Sequence, residues 1–142
     1  MKRCLVDVNI VLAILVPRHA HHRRAMRWFD GLVVNQAGLC RFVQLALIRL
    51  LANRAVMGEF ALPAGDGWSL TERLLLDERM ELVPEPAGVD TFLPALLRQR
   101  SPGGKLVSDA YLAAFAMAST RELVTLNAGF RGFHGLDLDL LS

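Results

Sequence analysis

The sequence predicts an α/β domain with a short, mostly parallel sheet and helices on both faces. Three observations carry this. Short apolar runs of strand length alternate with longer runs of helical periodicity, the pattern of crossover-connected parallel strands. Gly and Pro clusters separate the runs. The chain has 142 residues and is 53% hydrophobic, enough to fill one core and leave an apolar interface. One domain, 1–142, is expected, since no composition shift marks a boundary.

Taken in order, Cys4 to Asp7 is a short buried strand. Asn9 can cap the next helix, because its side chain can take an orphan N–H at a helix start. Val11 to Val16 is that short helix, stopped by Pro17. Ala20 to Leu32 is amphipathic, with Ala25, Phe29 and Leu32 on one face and Arg23, Arg24 and Arg27 on the other. Gly38 begins the turn into Leu39 and Cys40, a second strand. Phe42 to Arg54 is a helix, apolar around most of its girth. Val56 to Leu62 carries no assignable pattern. Ala64 to Gly67 makes a Gly/Asp loop before a helix over Ser69 to Arg79. Met80 to Val83 is a strand, ended by Pro84 and Pro86. Val89 to Arg98 is a helix containing Pro94. Ser101 to Gly104 is the strongest loop signal. Leu106 to Ser119 is a helix, Glu122 to Leu126 a strand, and Leu136 to Leu140 a last short strand.

Charge is near balance, at 16 basic against 14 acidic residues, so any nucleic-acid role rests on local patches. Two cysteines, Cys4 and Cys40, do not make a disulfide scaffold and fit a reduced, cytoplasmic setting. Lys2 and Arg3 before an apolar run imitate a signal peptide, but Asp7 and Asn9 interrupt the run. Ile10 to Val16 is too short to span a bilayer, so no membrane role is expected.

The segment LVDVNI, Leu5 to Ile10, puts one carboxylate, Asp7, inside an apolar run. Burying an unpaired carboxylate is very costly. The cheapest position is the carboxyl end of a buried strand, where open α/β sheets keep their ligand sites. Asp7 is therefore the first candidate metal ligand. Asp109, in LVSDAYLAAFA, is the second, in the first turns of an otherwise apolar helix whose dipole favours its ionised form. Asn127 comes directly after the strand of LVTLNAGF, where turn chemistry is the plainer reading. Gln44 shares a core-facing stripe with Ile48 and Leu51; a buried amide there needs a partner or costs about 1–3 kcal/mol.

In this order and spacing, LVDVNIVLAIL, the helix with one inward polar residue, SDAYLAAFA and LVTLNAGF resemble a PIN domain. The likeness is closest to VapC-type ribonuclease toxins and runs from Leu5 to about Leu141. PxHxHHxxAxxW, Pro17 to Trp28, also resembles one VapC subgroup. The resemblance implies a three-layer α/β/α fold and an acid quartet that binds Mg²⁺ or Mn²⁺. Asp7 matches its first acid and Asp109 its third. Gln44 stands nearest the second and Asn127 at the fourth, so amides replace two acids. Two carboxylates match the charge of one Mg²⁺, which accepts one or two carboxylates and several waters. One ion is expected, held by Asp7 and Asp109, with Asn9, Gln44, Thr125 and Asn127 around it. Lys105, one turn before Asp109, is a candidate phosphate contact. Asp137 and Asp139 stay open as further acids.

The resemblance further implies a toxin of a toxin–antitoxin pair, an Mg²⁺-dependent endoribonuclease, with RNA as substrate, an antitoxin partner and a homodimeric state. A PIN-fold module that binds RNA or an antitoxin without cutting stays open beside it. His19, His21 and His22 have no Cys or carboxylate at ligand spacing and read as helix-start residues. Arg18, Arg23, Arg24 and Arg27 read as a solvated face, or as a rim that steers RNA.

Overall fold

A computed structural model describes residues 2–99 and 103–142, apart from the side chain of Lys105. Its five strands are β1 (Cys4–Val6), β2 (Ala37–Cys40), β3 (Met80–Val83), β4 (Glu122–Thr125) and β5 (Leu138–Leu140). They form one sheet in the order β3-β2-β1-β4-β5, and every pairing is parallel. The expected sheet was mostly parallel; the observed one is wholly so. β1 and β2 are buried at every residue, which explains why they read as continuous apolar runs without alternation.

The connections set the layers. α1 (Val8–Leu15) and α2 (His22–Asp30) lead from β1 to β2. α3 (Arg41–Ala52), α4 (Arg54–Met57) and α5 (Ala64–Leu75) lead from β2 to β3. Both steps move the same way across the sheet, so right-handed crossovers put these helices on one face. There α1 packs on α2 and α3, and α3 on α5. α6 (Val89–Gln99) and α7 (Lys105–Ala118) carry the chain back past β1 to β4, hence over the other face, where they pack on each other. The result is the expected α/β/α sandwich.

Several boundaries differ from the sequence reading. α1 starts at Val8, and its N-cap is Asp7 rather than Asn9. α2 covers only His22–Asp30, and β5 starts at Leu138. Ala64 to Gly67 is the first turn of α5, not a loop, and α5 ends at Leu75. Gly67 is buried there, with Ile48 of α3 about 3.5 Å from where its Cβ would stand, so close helix approach explains that glycine. Val56 to Leu62 includes the end of α4 and a 3₁₀ turn, Gly58–Phe60. Gly38 lies inside β2, not in a turn. A Cβ on Gly38 would stand 2.6 Å from Val83 Cγ2 and 2.7 Å from an Arg121 guanidinium nitrogen. Arg121 is buried, donates to the Cys4 carbonyl at 3.0 Å and pairs with Glu81. It thus reaches from the start of β4 past β1 and β2 to β3, through the lane that Gly38 leaves. Ser101 and Pro102 lie outside the described residues. Among those described, no helix is long and apolar enough to cross a membrane.

Candidate active site

Chain order places the site. The strands progress outward from β1 through β2 and β3, then resume on the other side of β1 with β4 and β5. The carboxyl ends of β1 and β4 therefore flank a topological switch point, where open α/β sheets bind ligands. Asp7 leaves β1 there and Thr125 ends β4 beside it.

Asp7 is 8% exposed. Its Oδ1 accepts from the Val8 N–H at 2.7 Å, which caps α1. Its Oδ2 accepts from the Thr125 hydroxyl at 2.6 Å. Burial pushes its carboxyl pKa up, and the hydrogen bonds from Thr125 and Val8 pull it partly back. Among the described residues no cation forms an ion pair with it. Thr125 is fully buried and is the hub of the site. Its oxygen also accepts from the Asn127 N–H at 3.0 Å and from the Asn9 side-chain amide at 3.4 Å. Asn9 Oδ1 in turn accepts from the Leu126 N–H at 3.2 Å. Asn9 thus ties α1 to β4.

Asp109, on the second turn of α7, reaches the same place from the opposite helical layer. Asp7 and Asp109 line one cavity of about 180 Å³. α3 contributes Phe42, Val43, Ala46 and Arg49 to its wall, and α7 adds Ser108. Arg49 escaped the sequence reading. The available signal was its place as the one charge inside LALIRLLA, a turn and a half beyond Gln44.

The two amides stand apart from the acid pair. Gln44 is buried, but its Oε1 accepts from Arg41 at 2.7 Å and its Nε2 donates to Thr71 at 2.9 Å. It lines a different hollow, of about 560 Å³, with Trp68 and Leu76. Asn127 is exposed, and its Oδ1 accepts from the Gly129 N–H at 2.9 Å, capping the 3₁₀ turn Ala128–Gly132. Only its backbone touches the hub. Asp137 pairs with Lys2 at 2.8 Å, beyond the start of β4 at the opposite sheet edge. The His19 and His21 rings lie 5.8 Å apart, with His19 accepting from the His21 N–H, but the His22 ring turns away to the Ala13 carbonyl. The Lys105 side chain is outside the described residues. Among those described, no group of three or more His, Cys, Asp or Glu could hold a metal.

The PIN domain family model matches residues 4–135. The chain belongs to the PIN domain family. Among its relatives, Ribonuclease VapC41 of Mycobacterium tuberculosis is 38% identical over 145 residues, covering 97% of this chain and 98% of the relative. Ribonuclease VapC29 of the same species is 31% identical, covering 92% and 90%. Solved VapC and VapBC structures share this fold. M. tuberculosis VapC20, described as a sarcin–ricin loop cleaving toxin, gives a TM-score of 0.69 at 15% identity, over 94% of this chain and 98% of that one. DNA-bound VapBC from Salmonella typhimurium gives 0.68 at 16%, over 98% of both. At such identity these structures speak for the fold alone.

Proposed function

We propose that this PIN domain is the toxin of a toxin–antitoxin pair, a metal-dependent endoribonuclease that cleaves RNA phosphodiester bonds. The observation that carries this is the convergence of Asp7 and Asp109 on one cavity at the switch point. The relatives named as VapC ribonucleases, matched over nearly their whole length, support it.

The residues fit a divalent ion. A buried carboxylate with a raised pKa and no ionic partner among the described residues is destabilised as an anion, and a cation beside it relieves that cost. Asp7 and Asp109 would hold one Mg²⁺ or Mn²⁺, whose remaining positions suit water. The chemistry such an ion supplies is water activation and charge shielding at a phosphodiester. The chain's own part is orientation. Thr125 and the Val8 N–H fix both Asp7 oxygens, Asn9 locks Thr125 to α1, and Arg49 offers a cation to the substrate phosphate. Exposed Leu76 and Trp68 beside the larger hollow give apolar surface for an antitoxin or a second copy of the chain. Two buried free thiols, Cys4 and Cys40, suit a reducing cytoplasm.

The test is cleavage of a structured RNA by purified protein in Mg²⁺ or Mn²⁺. Asp7→Asn is expected to lower the rate about a hundredfold or more, and a chelator to abolish it. If wild type and Asp7→Asn arrest growth equally on expression, the nuclease reading fails. A second reading, binding without cutting, draws on the local engagement of Gln44 and Asn127. It predicts no metal-dependent cleavage by wild type at all.

A further inference from the structure

A second cavity, of about 230 Å³, opens at the same carboxyl edge of the sheet. Phe42 is a wall of both cavities, so the two adjoin. α7 points Asp109 into the first and Tyr111, two residues on, into the second. The Tyr111 ring lies 5.3 Å from that of Phe42, tilted by 57°. Its hydroxyl donates to Glu85 Oε1 at 2.6 Å, which fixes the Glu85 carboxylate at the exposed rim. Arg41 lines this cavity and Arg49 lines the other, so each has one cation in its wall.

The shape and chemistry narrow the occupant. The volume is below that of drug-sized pockets and suits a single flat ring. Aromatic walls beside a phosphodiester-cleaving site match the way proteins take up single-stranded RNA, by stacking splayed-out bases and reading their Watson–Crick edges. Arg41 donates to Gln44, whereas the group that Tyr111 holds at the rim is a carboxylate, which only accepts hydrogen bonds. Guanine alone presents two adjacent donors on that edge, N1–H and the N2 amino group. Adenine and cytosine set an amino group beside an acceptor, and uracil sets one N–H between two carbonyls.

We propose that this cavity seats a base next to the scissile phosphate, and that Glu85, held by Tyr111, selects guanine there. The proposal rests on the ribonuclease reading, and two arms keep their failures apart. In the first, purified protein with Mn²⁺ cuts a randomised RNA pool and the new ends are sequenced. Guanine is expected to dominate one position within two nucleotides of the cut. Glu85→Gln should lower that preference about tenfold and shift it toward adenine or cytosine, which match an amide. Tyr111→Phe keeps the ring but frees the carboxylate, and should weaken the preference less. Equal base composition in wild type and Glu85→Gln overturns the proposal while leaving the ribonuclease reading intact. The second arm needs no cleavage: metal-free protein is titrated with GMP, AMP, CMP and UMP and followed by NMR at Phe42 and Tyr111. Tightest binding by GMP, lost in Glu85→Gln, upholds the base site even if wild type cuts no RNA. Absence of any GMP preference in this arm overturns it.

Discussion

Asp7 carries two duties through two oxygens: one starts a helix, and the other takes the hydroxyl that ends β4. Ala46 of α3 lines the same cavity, and its small side chain leaves room there for a third carboxylate. Ala46→Glu is therefore expected to raise Mg²⁺ affinity several-fold in a calorimetric titration, while Gln44→Glu leaves it near wild type. The reason is that position 44 faces Arg41 and Thr71, and a carboxylate there would pair with Arg41 instead. Asp7 and Asp109 were legible in the sequence because a charge in an apolar run demands an explanation. Thr125 and Asn9 came only with the family resemblance: Asn9 reads as a helix cap in the sequence, but it sits inside α1 and bonds Thr125 and Leu126. Gln44 was not legible, since helical periodicity says which residues share a face but not which neighbour that face meets. Arg49 was hidden for the same reason.

At the scale of elements, two charged devices order the edges of the sheet. Arg121 ties β4, β1 and β3 together through the lane over Gly38. Gly38→Ala is expected to destabilise the fold by about 1–3 kcal/mol, because both the Val83 methyl and the guanidinium must move. A shift in urea midpoint without loss of the Asp7 site would confirm it. The second device is the turn from α5 into β3, where Arg79 grips both oxygens of Asp77 and covers the Phe29 ring. The hydrogen bonds from Arg79 hold the Asp77 carboxyl down to about 2. A depressed pKa stabilises the fold above the ordinary aspartate value and is lost as pH falls through the folded one. Asp77→Asn should thus lower the urea midpoint at neutral pH, and the gap from wild type should close between about pH 4 and pH 2. The strand Met80–Val83 was legible to the residue because Pro84 stops it. The start of α5 was not: Gly65 and Gly67 read as a loop, and the close approach of α3 that explains Gly67 is a tertiary contact that no local pattern shows.

For the whole molecule, the acid pair joins the two helical layers across the sheet. Asp7 starts α1 in one layer and Asp109 sits on α7 in the other. A ligand that binds both acids binds only the folded state, so it stabilises by mass action. At a hundredfold excess over Kd the gain is about 2.7 kcal/mol. Melting temperature is expected to rise with Mn²⁺ in wild type and to stay flat in Asp7→Asn. In chelator the order reverses. The raised Asp7 pKa means that the fold disfavours its charge, so stability falls as pH rises through that pKa, and Asp7→Asn should melt higher than wild type at neutral pH. Equal melting temperatures in chelator would contradict this. The sandwich itself was legible because alternating elements admit few right-handed arrangements.

The hydrogen bond from Thr125 to Asp7 also has a meaning in time. A ribosome delivers Asp7 before Asp109, and Asp109 before Thr125. A polypeptide interrupted anywhere before Thr125 keeps the Val8 N–H on one Asp7 oxygen but lacks the hydroxyl that fixes the other. The Asp7–Thr125 contact therefore forms only once β4 has been made. Fragments abandoned by the ribosome before β4 would carry Asp7 without the hydroxyl that holds it in the folded domain.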